Sequence, residues 1–478
     1  MRAEPGSGRR RTTMTILSSL IGSDYRPAGS AAARALQDVV TDVHLPGSDR
    51  YAALTRTSNL THAISPVAVV EARSPMDVSR TLRLAAAFGT PVAVQGTGHG
   101  ATEEMRDAIL VHTAAFDEVT IHPQERWARV GAGVRWERVL DACAPHGLAA
   151  LCGSSPDVGV VGLLTGGGLG PVARSHGLSS DTVRAFEVVT GDGVVRRVSA
   201  TEHPDLFWGL RGGKGSLGIV TAVEIDLVDL PEIYAGGLWF VGDDVDRVLR
   251  TWAVWCELLP EEGTTSVAVM RLPDMDPFPE PLRGRVSLHV RFAWTGDPGV
   301  GAEMIQAIRS AGDAVLDSVD VMPYHALGDV HADPVDPMPL HETTMLLDDL
   351  GPDGVERLVE LVGTRARSAQ AMVEVRQLGG RVREGDACAF AHRDAAFSVF
   401  TIGLMIPEVA QAVTRDAVRI AAGLEPWARS GSLPNFTDTA GRAWADRVFT
   451  PLVARRLRAL SLAYDPAGVL LAARGVRS

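Results

Sequence analysis

The sequence has little lysine, little cysteine and few aromatic side chains. Lys214 is its only lysine, so that 45 of the 46 basic residues are arginine. This bias is typical of an arginine- and alanine-rich genome and by itself indicates no function. The four cysteines are scattered, without C-x-x-C spacing and without histidines around them, which argues against a structural zinc site and a disulfide framework. They are Cys143, Cys152, Cys256 and Cys388.

Long apolar runs are also missing. None approaches the roughly 18 residues that a membrane span requires, so we expect no membrane partner. The arginines at 9–11 and the apolar stretch from Met14 to Ile21 faintly resemble an export signal. That stretch is only about eight residues long and is broken by two serines, so we interpret the chain as cytoplasmic, with export as the alternative.

The charge balance excludes further classes. The formal charge of −12, from 46 basic and 58 acidic residues, argues against nucleic acid as a partner. A charged fraction of 22% and a hydrophobic fraction of 46% are typical of a globular protein. At roughly 150 residues a domain, the 478 residues predict two or three domains.

The pattern of short elements changes near Leu230. Residues 64–230 alternate β-branched runs with glycine-rich turns, and the Ser74-Pro75 cap predicts a helix from Met76 to Phe88. Residues 235–425 alternate strand candidates with helices predicted at 243–257, 299–316, 352–367 and 407–422. The stretch from Tyr324 to Pro339 is predicted to be a long loop, and Phe436 to Arg458 a helix.

Three glycine-rich segments lie beside predicted strands. They are Gly96-Thr97-Gly98-His99-Gly100, then Ser154 to Gly170, and Leu210 to Thr221. Six glycines within residues 159–170 are incompatible with a stable helix or an ordinary strand. Such segments allow the backbone to approach an anionic or flat ligand closely, whereas one of them alone could be a tight turn.

In this order and spacing, the three segments resemble the FAD-binding domain of vanillyl-alcohol-oxidase-like flavoproteins, specifically the berberine-bridge-enzyme-like oxidoreductases. Thr97-Gly98-His99 falls on the family's first motif, residues 155–170 on its second, and residues 211–221 on its third, with Lys214 and Ser216 as departures. The resemblance also includes residues 389–393 and the terminal Tyr464-Asp465-Pro466.

The resemblance implies FAD as cofactor, covalently attached at a single position, His99, or not covalently attached at all. The position of the family's second attachment is Ser155 here, and Cys152 lies off register. Val158 occupies the position at which valine accompanies oxidase behaviour in the family. The FAD-binding residues implied are Gly96, Thr97, Gly98, His99, Gly100, Ser154, Ser155, Val158, Gly159, Gly162, Thr165, Gly166, Gly168, Gly218, Ile219, Val220 and Asn435.

The catalytic base is not identified by the resemblance. Many relatives use a tyrosine in a Y-x-N segment, and here Asn435 matches the asparagine while Leu433 replaces the tyrosine. We therefore consider Glu384, Tyr324 and His325 as catalytic candidates, although each could instead be an ordinary loop residue. No spacing in the sequence predicts a metal site.

The sequence thus predicts an α+β protein with a two-domain PCMH-type FAD-binding fold and a substrate domain of antiparallel sheet plus helices. The segments expected are 1–40 (N-terminal extension and first helix), 41–232 (FAD-binding domain), 233–425 (substrate domain) and 426–478 (return to the FAD-binding domain). We expect oxidation of a small alcohol, sugar or secondary metabolite with O2. The alternatives are a dehydrogenase that uses another acceptor, or a protein that uses FAD structurally. The oligomeric state is left open.

Overall fold

The computed structural model describes residues 28–437 and 441–478. The N-terminal arginines and the apolar stretch after them lie outside these residues. Helices and a small mixed sheet form the first layer of the chain. Its elements are helices α1 (Ala28–Gln37), α2 (Asp49–Leu54) and α3 (Pro75–Phe88), and strands β1 (Val43–His44), β2 (Ala68–Glu71), β3 (Val92–Gln95) and β4 (Ile109–His112).

The order of this first sheet is β1-β2-β4-β3, with β2 and β3 parallel to β4. Helix α3 begins as predicted, because Ser74 and Asp77 form a reciprocal capping box around Pro75. It ends at Gly89, whose φ of 62° suits glycine. The apolar faces of α1 and α3 cover the sheet. The first glycine segment begins at Gly96, directly after the carboxyl end of β3.

A second, antiparallel sheet has the order β5-β6-β10-β8-β9. Its side chains pack with those of the intervening helices into the largest apolar core of the described residues. The elements of this part are β5 (Val119–His122), β6 (Trp127–Gly131), β7 (Leu148–Ala149), β8 (Val183–Val189), β9 (Val195–Ser199), β10 (Ile219–Asp226) and β11 (Val228–Asp229), with helices α4 (Trp136–Cys143), α5 (Val160–Leu164), α6 (Ala173–His176) and α7 (Pro204–Leu210).

A large antiparallel sheet follows, with β12-β14-β13-β18-β19-β17 at its centre. Valine, leucine and phenylalanine side chains of alternate residues pack against four helices on one face. Its strands are β12 (Glu232–Val241), β13 (Gly263–Arg271), β14 (Val286–Trp294), β15 (Leu316–Asp317), β16 (Asp320–Pro323), β17 (Leu340–Leu347), β18 (Met372–Gln377), β19 (Phe397–Leu404) and β20 (Ala428–Arg429). The helices are α8 (Asp244–Leu258), α9 (Pro298–Arg309), α10 (Pro352–Val362) and α11 (Ala410–Leu424).

The C-terminal helices return to the first two layers. Trp444, Val448 and Leu457 pack into the core of the second sheet, and Leu470 pairs with Val92 at the end of the first sheet. The helix predicted over 436–458 was wrong as a continuous helix, because the described residues there form two helices with a break before Pro451. They are α12 (Gly441–Val448) and α13 (Pro451–Tyr464), followed by α14 (Arg474–Arg477).

Candidate functional site

The first glycine segment leaves the end of strand β3 and exposes a row of backbone donors. Among the described residues, the N–H groups of Thr97, Gly98 and His99 donate to no protein acceptor. Gly98 has a φ of 86°, and a Cβ there would lie 2.9 Å from the Arg56 carbonyl, so glycine is required. Successive free N–H groups of this kind bind anions such as a pyrophosphate.

His99 connects the first segment to the second. Its Nδ1 lies 2.9 Å from the Thr97 hydroxyl and its Nε2 lies 3.9 Å from the Asp157 carboxylate, which also pairs with Arg135. Burial lowers the pKa of His99, opposed by the negative charge of Asp157. The ring is therefore a neutral imidazole at pH 7, which leaves a nitrogen lone pair available.

The second and third segments are held together around Thr165 and Asn435. The carbonyl of Thr165 accepts hydrogen bonds from the N–H groups of Gly212 and Lys214. The Lys214 ammonium donates to the Asn435 side chain and, at 3.4 Å, to the carbonyl of Gly162. Burial lowers the pKa of Lys214 to about 8. The only lysine of the chain therefore lies where the glycine segments meet.

Glycine is required at several predicted positions for packing against protein atoms. A Cβ at Gly166 would collide with the Asn435 side chain, and one at Gly168 would lie 2.7 Å from Ser179. Gly218 similarly lies against Val188 at the start of β10. Gly162 differs, because a Cβ there would meet no atom of the described residues within 4 Å. The space beside Gly162 is thus open.

The residues present fit FAD. The free backbone donors at 97–99 suit a diphosphate. The open space beside Gly162 lies next to the single lysine, whose ammonium is 3.4 Å from the Gly162 carbonyl oxygen. Of the other predicted FAD residues, Thr97 packs against Gly159, and the Val158 carbonyl accepts from the Trp136 N–H. The first and second segments are therefore in direct contact, and the third contacts the second through Thr165.

The large sheet faces this region with charged side chains. Arg376 of β18 donates to the Ser154 hydroxyl at 3.4 Å, and its guanidinium lies 5.1 Å from the ring centre of Phe436, the neighbour of Asn435. Glu374, two residues earlier, is fully buried and pairs with Arg376 and with Arg291 of β14. The two arginines lower the pKa of Glu374 against the effect of burial. Glu374 is therefore an ionised carboxylate.

Arg291, Glu374 and Arg376 were not among the residues that the sequence predicted. Glu374 and Arg376 alternate with Val373 and Val375 along β18, and the two valines pack under the helices. The period of two places the charged pair on the opposite face. A charged residue at every second position of an apolar strand was the signal that could have found them.

The three catalytic candidates differ in their surroundings. Glu384 is exposed and pairs with Arg381 at 3.8 Å. His325 is exposed as well. Tyr324 is buried, donates to the Ala150 carbonyl at 3.1 Å, and has a pKa that burial raises well above its usual value. The geometry does not bring the three into one site, and Tyr324 acts in packing.

Two further positions discussed from the sequence are Cys152, near the family's second attachment position, and Leu433, at the position of its tyrosine. Cys152 is buried and free, and burial raises its pKa to about 12, so this thiol is an inert core residue. Leu433 is also buried and packs with Phe390 and Leu346, so the family's tyrosine position supplies no proton acceptor here.

Neither a metal cluster nor a membrane span was found in the part of the chain that the structure describes. In residues 28–437 and 441–478, no three His, Cys, Asp or Glu side chains are arranged to hold a metal ion. No helix in the same ranges is both long enough and apolar enough to cross a bilayer.

Comparison with known proteins finds flavoproteins that are similar to part of this chain. Residues 66–199 match the family described as an FAD binding domain. An FAD-dependent monooxygenase of Fusarium proliferatum is 35% identical over 177 residues, which cover 36% of this chain and 34% of the relative. The (R)-6-hydroxynicotine oxidase of Paenarthrobacter nicotinovorans is 31% identical over 200 residues, covering 41% and 43%. The chain thus spans less than half the length of these curated relatives.

Solved structures match over nearly the whole chain. The wild-type BBE-like 1 protein of Physcomitrella patens superposes with a TM-score of 0.78 and 18% identity, over 93% of this chain and 98% of that one. The 6-hydroxy-D-nicotine oxidase of Arthrobacter nicotinovorans gives 0.78 and 22%, over 90% and 98%. A chitooligosaccharide oxidase gives 0.79 and 19%, over 94% and 99%.

The solved structures confirm the predicted α+β fold class with its PCMH-type FAD-binding fold. The predicted resemblance is confirmed as well: the chain has the fold of the berberine-bridge-enzyme-like oxidoreductases, and residues 66–199 match an FAD binding domain.

Proposed function

We propose that this chain is an FAD-dependent oxidoreductase that oxidises a small alcohol, sugar or secondary metabolite and uses O2 as electron acceptor. One observation carries the proposal: the second glycine segment contacts the first and also meets the third around Lys214 and Asn435, beside the charged face of the large sheet. When bound, FAD supplies a hydride acceptor for substrate oxidation.

The glycine segments would hold the cofactor. The N–H groups of residues 97–99 would donate to its phosphate oxygens, and the neutral imidazole of His99 would be the single attachment point. Lys214 supplies a positive charge at the junction of the segments. The other residues implied by the resemblance, from Ser154 to Asn435, line the same surface in this proposal.

The large sheet would cover the substrate. Arg291, Arg376 and His331 line a cavity between β13, β14, β18 and the end of the second glycine segment at Leu169 and Gly170. Within the described residues, neither ring nitrogen of His331 has a hydrogen-bond partner, and burial holds its pKa well below the usual value. This neutral imidazole can accept a hydrogen bond from a substrate hydroxyl or amine at one nitrogen.

Val158 and the names of the neighbours support O2 as acceptor. Val158 is half-buried and packs at the edge of the main core, at the family's gating position. Among the similar structures are an oxidase of 6-hydroxy-D-nicotine, one of chitooligosaccharides and one of xylooligosaccharides, the last bound to xylobiose. A glucose dehydrogenase, Phl p 4, is among them too, and favours the dehydrogenase as second candidate.

We further propose the domain division given above, with residues 41–232 and 426–478 as the FAD-binding domain and 233–425 as the substrate domain. The packing of Trp444, Val448 and Leu457 on the second sheet supports the C-terminal return. Helix α1 packs with α3, so the first domain also includes part of the segment before residue 41. The cytoplasmic location stays a prediction.

The function can be tested on the purified yellow protein. A panel of alcohols, sugars and amines is added without oxygen, and the flavin absorbance near 450 nm, a typical flavin band, is followed on the order of minutes. We expect at least one compound to bleach it, and air to restore it with formation of hydrogen peroxide. Slow reoxidation in air together with fast reoxidation by a dye would identify a dehydrogenase. A flavin that no compound bleaches would support a structural role.

A further inference from the structure

The charged face of the large sheet contains more hydrogen-bond donors than acceptors. Glu374 is completely buried, and its carboxylate accepts from Arg291, from Arg376 at 2.6 Å and from the Ser266 hydroxyl at 3.3 Å. Both of its oxygens are therefore engaged. The two guanidinium groups and the single carboxylate leave a net charge of one positive unit on this face.

In each arginine, one terminal guanidinium nitrogen forms no hydrogen bond with the described residues. Arg291 uses Nε toward His289 and Nη1 toward Glu374, and its Nη2 has no partner among the described residues. Arg376 uses Nε and Nη2, and in the same part of the chain its Nη1 has no partner. The side chains are 2% and 9% exposed. Buried guanidinium groups with free N–H groups favour an acceptor that carries negative charge.

His331 lines the same cavity and is itself unsatisfied. The residue is 6% exposed, and neither Nδ1 nor Nε2 has a hydrogen-bond partner within residues 28–437 and 441–478. Its Nε2 lies 3.8 Å from the Glu374 carboxylate, beyond hydrogen-bond distance. After burial, the largest causes of its lowered pKa are the positive charges of Arg291 and Arg376. The cavity is therefore electropositive where His331 faces it.

The nearest other carboxylate does not balance this charge. Asp333 accepts a hydrogen bond from the Ser154 hydroxyl at 2.8 Å. Within the described residues, it forms no ion pair within 4.0 Å with Arg291 or Arg376. The free guanidinium nitrogens thus remain available to a ligand.

We propose that this cavity binds a carboxylate group of the substrate, through the free N–H groups of Arg291 and Arg376 with His331 beside them. The proposal rests on the proposed function and narrows its substrate to a small organic acid. Planar guanidinium groups match the two oxygens of a carboxylate. The contacts of Arg376 with Ser154 and Phe436 place this subsite beside the proposed FAD surface.

The first test compares charged ligands with neutral ligands of the same shape. Benzoate and propionate, and their amides benzamide and propionamide, are titrated into the flavin-loaded protein by isothermal calorimetry. We expect at least one carboxylate to bind about tenfold or more tightly than its amide, because the amide lacks the charge that strengthens each hydrogen bond. Equal affinities for acid and amide would overturn the proposal.

A variant separates ligand binding from a structural ion cluster. Glu374→Gln keeps the side-chain shape and removes the negative charge that competes for the arginines. We expect the carboxylate to bind about tenfold more tightly to this variant, whereas a merely structural cluster would leave the affinity unchanged. Thermal stability falls in both cases because two buried arginines lose their partner, so the affinity is the deciding measurement.

The matched control is Asp416→Asn. Asp416 is a buried carboxylate that pairs with Arg419 on helix α11. The same acid-to-amide change there should leave the carboxylate affinity unchanged. Sodium phosphate is titrated in parallel, and a phosphate that binds as tightly as the carboxylates would overturn a substrate-carboxylate subsite in favour of a general anion site.

The outcomes distinguish this proposal from the proposed function. A yellow protein that binds no carboxylate overturns the subsite and leaves the FAD enzyme intact. A colourless protein that binds carboxylates more tightly after Glu374→Gln overturns the FAD function and supports the subsite.

Discussion

His99 and Lys214 show how burial acts on single charged residues in this molecule. Burial lowers the pKa of both side chains, for Lys214 to about 8. The charged form of each is disfavoured because water is removed from around it. His99 is therefore ready to form a bond from a neutral nitrogen, while the charge of Lys214 is sensitive to mild alkali.

The covalent attachment gives the first prediction. In His99→Ala, the attachment point is removed while the backbone donors at 97–99 stay. We expect acid precipitation to leave the flavin in the supernatant of this variant, whereas the wild-type pellet stays yellow. An intact mass of the wild-type protein without the flavin increment would contradict a covalent bond through His99.

The titration of Lys214 gives the second prediction. Below its pKa the ammonium attracts the anionic cofactor, and above it the attraction is lost. In the His99→Ala background, where FAD dissociates, we expect FAD affinity to fall as the pH rises through about 8. Lys214→Met in the same background should bind more weakly at pH 7 and lose this pH dependence. Identical profiles for the two proteins would show that Lys214 has no role at the cofactor.

At the scale of single elements, two glycines in and after the short helix α5 have different surroundings, one packed against protein atoms and one next to open space. A Cβ at Gly166 would collide with Asn435, while a Cβ at Gly162 would meet no atom of the described residues. The two glycines lie four residues apart, Gly162 exposed and Gly166 buried, so they form a pair that compares open space with packed space.

The third prediction uses this pair. Gly166→Ala should lower the free energy of unfolding by about 1–3 kcal/mol, because Asn435 must move. Gly162→Ala should leave it unchanged or raise it by up to about 1 kcal/mol, since alanine is the better helix former. In the His99→Ala background, we nevertheless expect Gly162→Ala to bind FAD about tenfold more weakly, because the added methyl group occupies the open space. Urea unfolding and FAD titration check both, and normal FAD binding by Gly162→Ala would show that the open space is not the cofactor site.

The observed ends of the helices show where the local sequence was sufficient to predict a boundary. The helix predicted from Met76 was observed from Pro75 to Phe88, because the capping box and Gly89 fix both ends locally. The helix predicted over 352–367 ends at Val362, where Gly363 follows. That over 299–316 ends at Arg309, because the chain turns back through Gly312 against Phe240. Ends fixed by tertiary contacts were therefore the ones we misplaced.

At the scale of the whole molecule, residues 58–61 connect the first layers to the large sheet. The Asn59 side chain donates to the Leu340 carbonyl at 3.0 Å and accepts from the Leu340 N–H at 3.0 Å. It also donates to Glu342 at 3.3 Å. The Ser58 N–H in turn donates to the carbonyl of Gly98 beside His99. This connection ties strand β17 to the first glycine segment.

The fourth prediction concerns this connection. Asn59→Ala should lower the free energy of unfolding by about 1–3 kcal/mol, since backbone groups of Leu340 lose their partner. Gln306→Ala is the control, because Gln306 is exposed on α9 and its side chain donates to Ser310 at 3.4 Å, so we expect a change within about 0.5 kcal/mol. Equal urea midpoints for the two variants would show that Asn59 does not join the parts of the molecule.

The glycine-rich segments alone predicted the close approach of an anionic or flat ligand, because conformational freedom and missing side chains are properties of the residue type itself. FAD as that ligand was implied by the family resemblance of the three segments. The sequence by itself also determined α3 and the alternation of the strands. The charged cavity was decided only by the tertiary structure. Arg291 and Glu374 lie 83 residues apart in the sequence, and only the pairing of β13 with β14 and β18 brings their charges together. The alternation along β18 could have shown that Glu374 and Arg376 share a face, but no local pattern shows that Arg291 pairs with them, so Glu384 and His325 were proposed and the cavity was missed.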